Sequence, residues 1–205
     1  MEFTFELPKK DEKLFKDGGN YYEFAHFGWG STETEFYGYM KGYKESADLL
    51  VNSSVASRDI SMLDTSVFPI LFLYRQYLEL AMKSIYLRIS EDNWGDKEDT
   101  IKKSSHNLMS IWNKVKPILE PLGSEDKEMI VTVEQYIKEF HQFDKSSFTF
   151  RYPITKELDR VLTSEKRINL INLRDRIEEL YNFFSGCSDM LDADLEHKHN
   201  FEDFY

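Results

Sequence analysis

Arg75, Glu79 and Lys83 recur at four-residue intervals inside the otherwise apolar stretch Phe68–Arg88, with Gln76 beside them. On a helix advancing ~100° per residue these side chains share one stripe of roughly 100°. A guanidinium, a carboxylate and an ammonium in one column form a natural run of i,i+4 ion pairs. Two arrangements satisfy the pattern. The stripe is either the one wet side of a core helix, or a polar network held inside a bundle or cleft.

Two further segments carry groups of matching chemistry. The first is Ser105-His106-Asn107-Leu108. The second is Asp144-Lys-Ser-Ser147-Phe-Thr-Phe-Arg151-Tyr152-Pro153. Metal-free RNA cleavage needs a general base for the 2′-hydroxyl, an acid for the leaving 5′-oxygen, and a cation beside the phosphorane. His106 titrates in the right range. Arg151 offers a planar fork for phosphate, and Lys83 or Arg75 can neutralise charge. Such a site requires the Arg151 segment to fold back toward His106 and the stripe. In the structural alternative Glu79 pairs with Arg75 or Arg151, Asp144 holds the loop, and His106 caps its helix. A buried ion network of that kind organises a loop without any substrate.

Other familiar chemistry is absent. The chain has no Gly-rich phosphate loop, no Gly-x-Ser-x-Gly and no Cys-x-x-Cys. His197 and His199 are spaced to touch a metal but have no nearby cysteine, so no metal or other cofactor is expected. The single cysteine, Cys187, lies on an apolar helix without a basic neighbour and reads as packing rather than as a nucleophile. His26 and His141, in aromatic surroundings, read as surface or packing residues.

Helices must position these groups. Ser31 or Thr32 caps a first helix over about 32–52, with Glu33 and Glu35 at its positive end. The polar stretch 52–65 connects it to a second helix capped by Ser66, with Pro69 in its first turn, running to about Ile89. Residues 90–100 read as an acidic turn. A third helix starts near Ser104, and Pro117 and Pro121 bend or end it. A fourth starts at Ser124 and continues through Phe140. Phe148, Phe150 and Tyr152 alternate before Pro153, which marks an irregular or hairpin-like insert over 144–165. A last long helix covers about 169–195, with Gly186 as a candidate kink and a loosely held tail after it. Phe3–Leu7 alternates like a short strand, and the aromatic arm 1–30 is expected to pack onto the core. The sum is one all-α domain, an antiparallel bundle of four to five helices.

The chain has 205 residues, enough to bury a core without disulfides or metals. Its net charge of −11, from 26 basic and 37 acidic residues, repels phosphate backbones over most of the surface. Nucleic acid therefore requires a local basic patch or a small nucleotide, and the acidic surface suits a basic partner or a second copy. Met1–Lys10 lacks the basic-then-apolar order of a secretory leader, and Arg75, Glu79 and Lys83 interrupt the one long apolar run. A lone cysteine fits a reducing compartment. The expectation is a cytoplasmic protein without a membrane span.

Three blocks together resemble the HEPN superfamily, small helical bundles named for higher-eukaryote and prokaryote nucleotide-binding domains. They are Leu73-Tyr-Arg75-x-x-x-Glu79-Leu-x-x-Lys83, His106-Asn107-Leu108, and Asp144-x-x-Ser147-x-x-x-Arg151-Tyr152-Pro153. The resemblance spans about 66–191 and is closest to a bacterial offshoot of the superfamily. It implies a four- to five-helix bundle, often a homodimer, associated with nucleotide binding, RNA cleavage, toxin–antitoxin pairs or phage defence, with an antitoxin among the implied protein partners. It places His106 and Arg151 as the catalytic candidates, and Arg75, Glu79, Lys83, Asn107, Asp144, Ser147 and Tyr152 as a binding or polar network. The chain departs from the superfamily's ribonuclease signature, in which an Arg is followed four to six positions later by a His: no arginine here has a histidine at that distance. The alternative function is a non-catalytic interaction or scaffold protein.

Overall fold

The computed structural model describes residues 6–121 and 127–202, with side chains through Ala193. Among these residues the chain forms six helices: α1 Thr32–Ser57, α2 Ile60–Ile89, α3 Trp94–Ser104, α4 Leu108–Leu119, α5 Lys127–Phe143 and α6 Leu170–Glu202. Among the described residues it has no strand beyond an isolated antiparallel bridge between Ile154 and Arg160. The architecture is an all-α bundle.

Helix α2 is its axis, packing against α1, α3, α4 and α6, while α5 is held chiefly by α4. Of the residues Ile70–Tyr86, twelve are buried, around almost the whole circumference of the helix. That is the pattern of a central helix rather than an amphipathic one. Ile70, Tyr74, Leu78 and Met82 meet Leu108, Ile111, Trp112 and Leu119 from α4, and Ile177 and Leu180 from α6, in one continuous core. Helices α4 and α5 are also clipped at the surface by Glu134, which accepts from Trp112 Nε1 at 3.2 Å and from Lys116 Nζ at 2.5 Å.

Several boundaries differ from the sequence expectation. Ser31 caps α1 as expected, accepting from Thr34 N at 3.3 Å, but the helix runs through Ser57 rather than stopping at Asn52. It ends at Arg58, which takes the left-handed conformation (φ 55, ψ 22). The cap of α2 is Asp59, not Ser66; Asp59 Oδ1 accepts from Ser61 N at 2.9 Å. Pro69 therefore stands inside the helix. It lies on an exposed face, so the Thr65 carbonyl it leaves without a helical donor meets water. The segment read as a turn forms α3, capped by Asn93 and laced by Lys102–Glu98 and Lys103–Asp99 pairs. Only Ser104 is buried on it, so it carries no apolar periodicity to detect. Helix α4 then begins at Leu108 rather than near Ser104. The helix count among the described residues is six rather than four or five.

The insert between α5 and α6 is irregular, as expected. Its hairpin character is limited to one bridge, with Thr155 N donating to Asp159 O at 2.8 Å and Val161 N to Pro153 O at 3.0 Å. Asn169 caps α6, accepting from Asn172 N at 3.0 Å, and the helix backbone continues through Glu202 instead of ending at Leu195. The N-terminal arm does not pack onto the core: every described residue from Glu6 to Ser31 is exposed. Its order is local, through an Asn20 capping box with Glu23 and a Trp29 Nε1 bond to His26 O at 3.1 Å. Residues 3–5 of the expected strand and residues 124–126 of the expected α5 start lie outside the described residues. No helix among the described residues is long and apolar enough to cross a membrane.

A left-handed Arg58 at the α1 terminus is conformationally unfavourable for a residue with a Cβ. Arg58→Gly is expected to leave the fold intact and raise the unfolding free energy by up to about 1 kcal/mol, whereas the β-branched Arg58→Val lowers it. Urea unfolding of the three proteins measures both changes.

Candidate functional site

The stripe on α2 is a buried network. Arg75 is 0% exposed and Glu79 3% exposed, which excludes the wet-face arrangement for both. Arg75 Nη1 donates to Glu79 Oε2 at 3.3 Å, and Lys83 Nζ donates to Glu79 Oε1 at 2.6 Å. One carboxylate is thus bracketed by two cations from its own helix, one turn on either side.

His106 completes the cluster from the α3–α4 link. Its Nδ1 lies 3.0 and 3.2 Å from the two Glu79 oxygens, while Arg75 Nη2 donates to its backbone carbonyl. Both the ring and the main chain of His106 are therefore fixed by α2. The link bends sharply to allow this: Ser105 has φ 45 and ψ −114, an unfavourable conformation for a residue with a Cβ. His106 does not cap α4. Asn107 does, its Oδ1 accepting from Ser110 N at 2.9 Å, which keeps the Asn107 side chain out of the ion network. The His106 side chain remains 49% exposed. With Nδ1 facing a carboxylate, the neutral tautomer that this geometry favours has its proton on Nδ1 and its lone pair on Nε2.

The third segment folds back onto α2. Asp144, buried at the end of α5, accepts from Phe148 N at 3.0 Å and Thr149 N at 3.3 Å through Oδ1. Gln76 on α2 donates to Ser147 Oγ at 2.9 Å, pinning the loop to the same helix that holds Glu79. Ser147 is buried with φ 59, so the turn is held in the left-handed region without a glycine. Arg151 Nε donates to Ser147 O, and its guanidinium lies 5.6 Å from the Tyr152 ring, which itself packs on Phe148 at 4.9 Å. Arg151 and Tyr152 are exposed.

The electrostatics tie the segments together. Burial pulls the Arg75 guanidinium below its ordinary value; Glu79 and Asp144 oppose that shift and the Arg151 charge adds to it. His141, read from sequence as a packing residue, belongs to this surrounding. Burial and then the Arg75 and Lys145 charges hold its imidazole below the ordinary 6.5, against the pull of Asp144, and its Nδ1 is buried without a partner. Its place in the last turn of α5, just before Asp144, is the only sequence signal for it. Gln76 is visible in the sequence as part of the stripe, but its loop partner is not.

Other candidates stay apart from the cluster. Cys187 is buried and its thiol is pushed up to about 11 by desolvation, the state of an inert packing cysteine. The side chains of His197 and His199 lie outside the described residues, and the described residues contain no group of three or more His, Cys, Asp or Glu able to hold a metal. No family model, no curated protein and no solved structure matches this chain.

Glu79→Ala leaves Arg75 buried without its main carboxylate and is expected to cost roughly 3–5 kcal/mol, while the double change Arg75→Met/Glu79→Leu recovers most of that loss; chemical denaturation of the variants checks both. For His141 the folded form disfavours the proton, so below pH 6.5 the unfolded chain binds more protons than the folded one. Stability contributed by neutral His141 is complete above that pH and falls on acidification. His141→Gln is expected to flatten the acid-side slope of the melting temperature, read by thermal melts across that range.

Proposed function

We propose that this chain is a HEPN-like RNA- or nucleotide-associated protein of the bacterial defence or toxin–antitoxin kind, with its phosphate-handling site at His106 and Arg151. The observation that carries this reading is a half-exposed imidazole backed by a buried carboxylate that Arg75 and Lys83 also hold, with the Arg151 charge acting on Arg75 from the insert. In a chain of net charge −11 this is a local concentration of positive groups, the condition under which an acidic protein can still receive a phosphate.

The roles divide by exposure. Arg75 is fully enclosed and acts as a positioning residue through the His106 carbonyl. Glu79 orients the ring, and Asp144, Gln76 and Ser147 set the loop that carries Arg151. His106 and Arg151 are the groups that reach solvent. In metal-independent RNA cleavage His106 Nε2 takes the 2′-hydroxyl proton as the 2′-oxygen bonds to phosphorus. The bond from phosphorus to the 5′-oxygen breaks, and that oxygen takes a proton from solvent. The products are a 2′,3′-cyclic phosphate and a 5′-hydroxyl. Arg151 and Lys83 neutralise the phosphorane.

A second reading has its own observation. Most donors and acceptors of the network are already satisfied within the chain: Arg75 by Glu79 and a carbonyl, Arg151 by Ser147 O, Asp144 by two backbone amides. On that reading the network only organises the loop, and the protein is a non-catalytic interaction module.

Purified protein incubated with a fluorophore-quencher RNA in EDTA separates the two. Cleavage by the wild type is expected to fall roughly 100-fold or more in His106→Ala and in Arg151→Ala. Arg151 is exposed, so its variant should keep the melting temperature nearly constant, while His106→Ala removes one of three Glu79 donors and should lower it modestly without unfolding the protein. Absence of cleavage by the wild type, together with no saturable binding of RNA or mononucleotides, leaves the interaction module as the function.

A further inference from the structure

The N-terminal arm leaves a run of apolar side chains unburied. Leu14 is 90% exposed and Phe15 87%, and Tyr21, Tyr22, Phe27 and Trp29 are also open to solvent. Exposed single hydrophobics are ordinary, but a contiguous segment of this composition marks an interaction site. The arm also concentrates positive charge: between Lys9 and Lys16, Lys9, Lys10, Lys13 and Lys16 face only Asp11 and Glu12, in a chain of net charge −11. Its most compact unit is Lys13-Leu14-Phe15-Lys16, an apolar pair flanked by two cations.

The bundle carries a groove of matching character. A cleft of about 380 Å³ opens between α1, α2 and α6, floored by Tyr77, Ile85, Tyr181 and Phe184. Glu33 and Asp189 stand in its lining and form no ion pair with the described residues. The two cations beside it are otherwise engaged: Arg88 with Ser188 and Asp192, and Lys41 with Glu45 and the Tyr37 ring. The groove is thus an apolar floor with two acids free to pair, against an apolar pair flanked by two lysines. In the single chain the arm lies clear of it, exposed along its whole described length.

We propose that the arms of two copies of this chain exchange, Leu14 and Phe15 of one copy seating in the α1–α2–α6 groove of the other, with Lys13 and Lys16 meeting Glu33 and Asp189. The contact is isologous, so each copy donates an arm and accepts one. Phe15 buries about 150–250 Å², so two arms with Leu14, the flanking lysine stems and the acceptor surfaces come close to the roughly 1,200 Å² at the low end of specific interfaces. The basic segment also gives two acidic bodies an attractive contact where their overall fields repel. This exchange stands independently of the reading of His106 and Arg151.

Sedimentation of the full-length chain from about 1 to 100 µM is expected to show a concentration-dependent dimer. Leu14→Ser/Phe15→Ser should return it to a monomer with unchanged melting of the monomeric fold, since both residues are exposed. Glu33→Lys/Asp189→Lys should weaken the dimer at least about tenfold, and mixing that variant with Lys13→Glu/Lys16→Glu should recover a heterodimer. A Phe15→Cys chain mixed with a Tyr37→Cys chain should form an interchain disulfide, with buried Cys187 unreactive. A monomer across the whole range overturns the proposal. So does a dimer indifferent to Leu14→Ser/Phe15→Ser, or a Phe15→Cys/Tyr37→Cys chain that closes within itself at high dilution.

Discussion

The Glu79 carboxylate is the constraint on which the centre of this structure depends. It is buried, and an unpaired ionised carboxylate in that position is not tolerated. Three donors from two segments therefore converge on it: Arg75 and Lys83 from its own helix, and His106 from the link after α3. Because Arg75 also holds the His106 carbonyl, the charge network and the backbone path are one device. The unfavourable dihedrals of Ser105 and Ser147 sit on two loops that α2 anchors, the first through Arg75 and Glu79 and the second through Gln76.

The same helix supplies both the hydrophobic axis of the bundle and the polar column. Tyr74, Leu78 and Met82 face the core while Arg75 and Glu79, one position away, meet the loop segments. Within the ion cluster Arg75 and Glu79 are enclosed, Lys83 is largely covered and the His106 ring is half-exposed. The half-exposed His106 ring is thereby held by a buried carboxylate and guanidinium beneath it, which is the arrangement that allows an imidazole to act with little reorganisation. The interior of the bundle and the free arm are opposite extremes in one chain: the first satisfies charge by enclosure, the second keeps apolar side chains in water.

Much of this is legible in the sequence where periodicity is strong. The all-α class, an α1 cap at Ser31 or Thr32, the long α2, the apolar faces of α4 and α5, and an irregular insert before α6 follow from spacing and capping residues. The convergence of Arg75, Glu79 and His106 is readable there only as a hypothesis, since i,i+4 charges look identical whether wet or enclosed. The boundaries differ for physical reasons. Helix α3 is mostly polar, with Ile101 as its one apolar side chain packed against the core, and is laced by local charge pairs. The first turns of α2 are mostly exposed and polar, with only Leu63 and Val67 extending the apolar spacing toward Asp59, and Pro69 imitates a start signal. His141 enters the cluster through tertiary packing of the α5 terminus, which no local pattern encodes. The arm is aromatic enough to suggest docking, yet composition does not say which surface an apolar segment covers.

The state of the His106 ring tests the account most directly. Long-range proton–nitrogen correlation spectra of labelled protein at neutral or mildly alkaline pH report which imidazole nitrogen carries the proton. A ring steered by the Glu79 carboxylate must hold its proton on Nδ1 and present a bare Nε2 to solvent. A neutral ring found protonated on Nε2, or exchanging freely between the two forms, would mean that Glu79 does not orient it and that the buried network does not prepare a site.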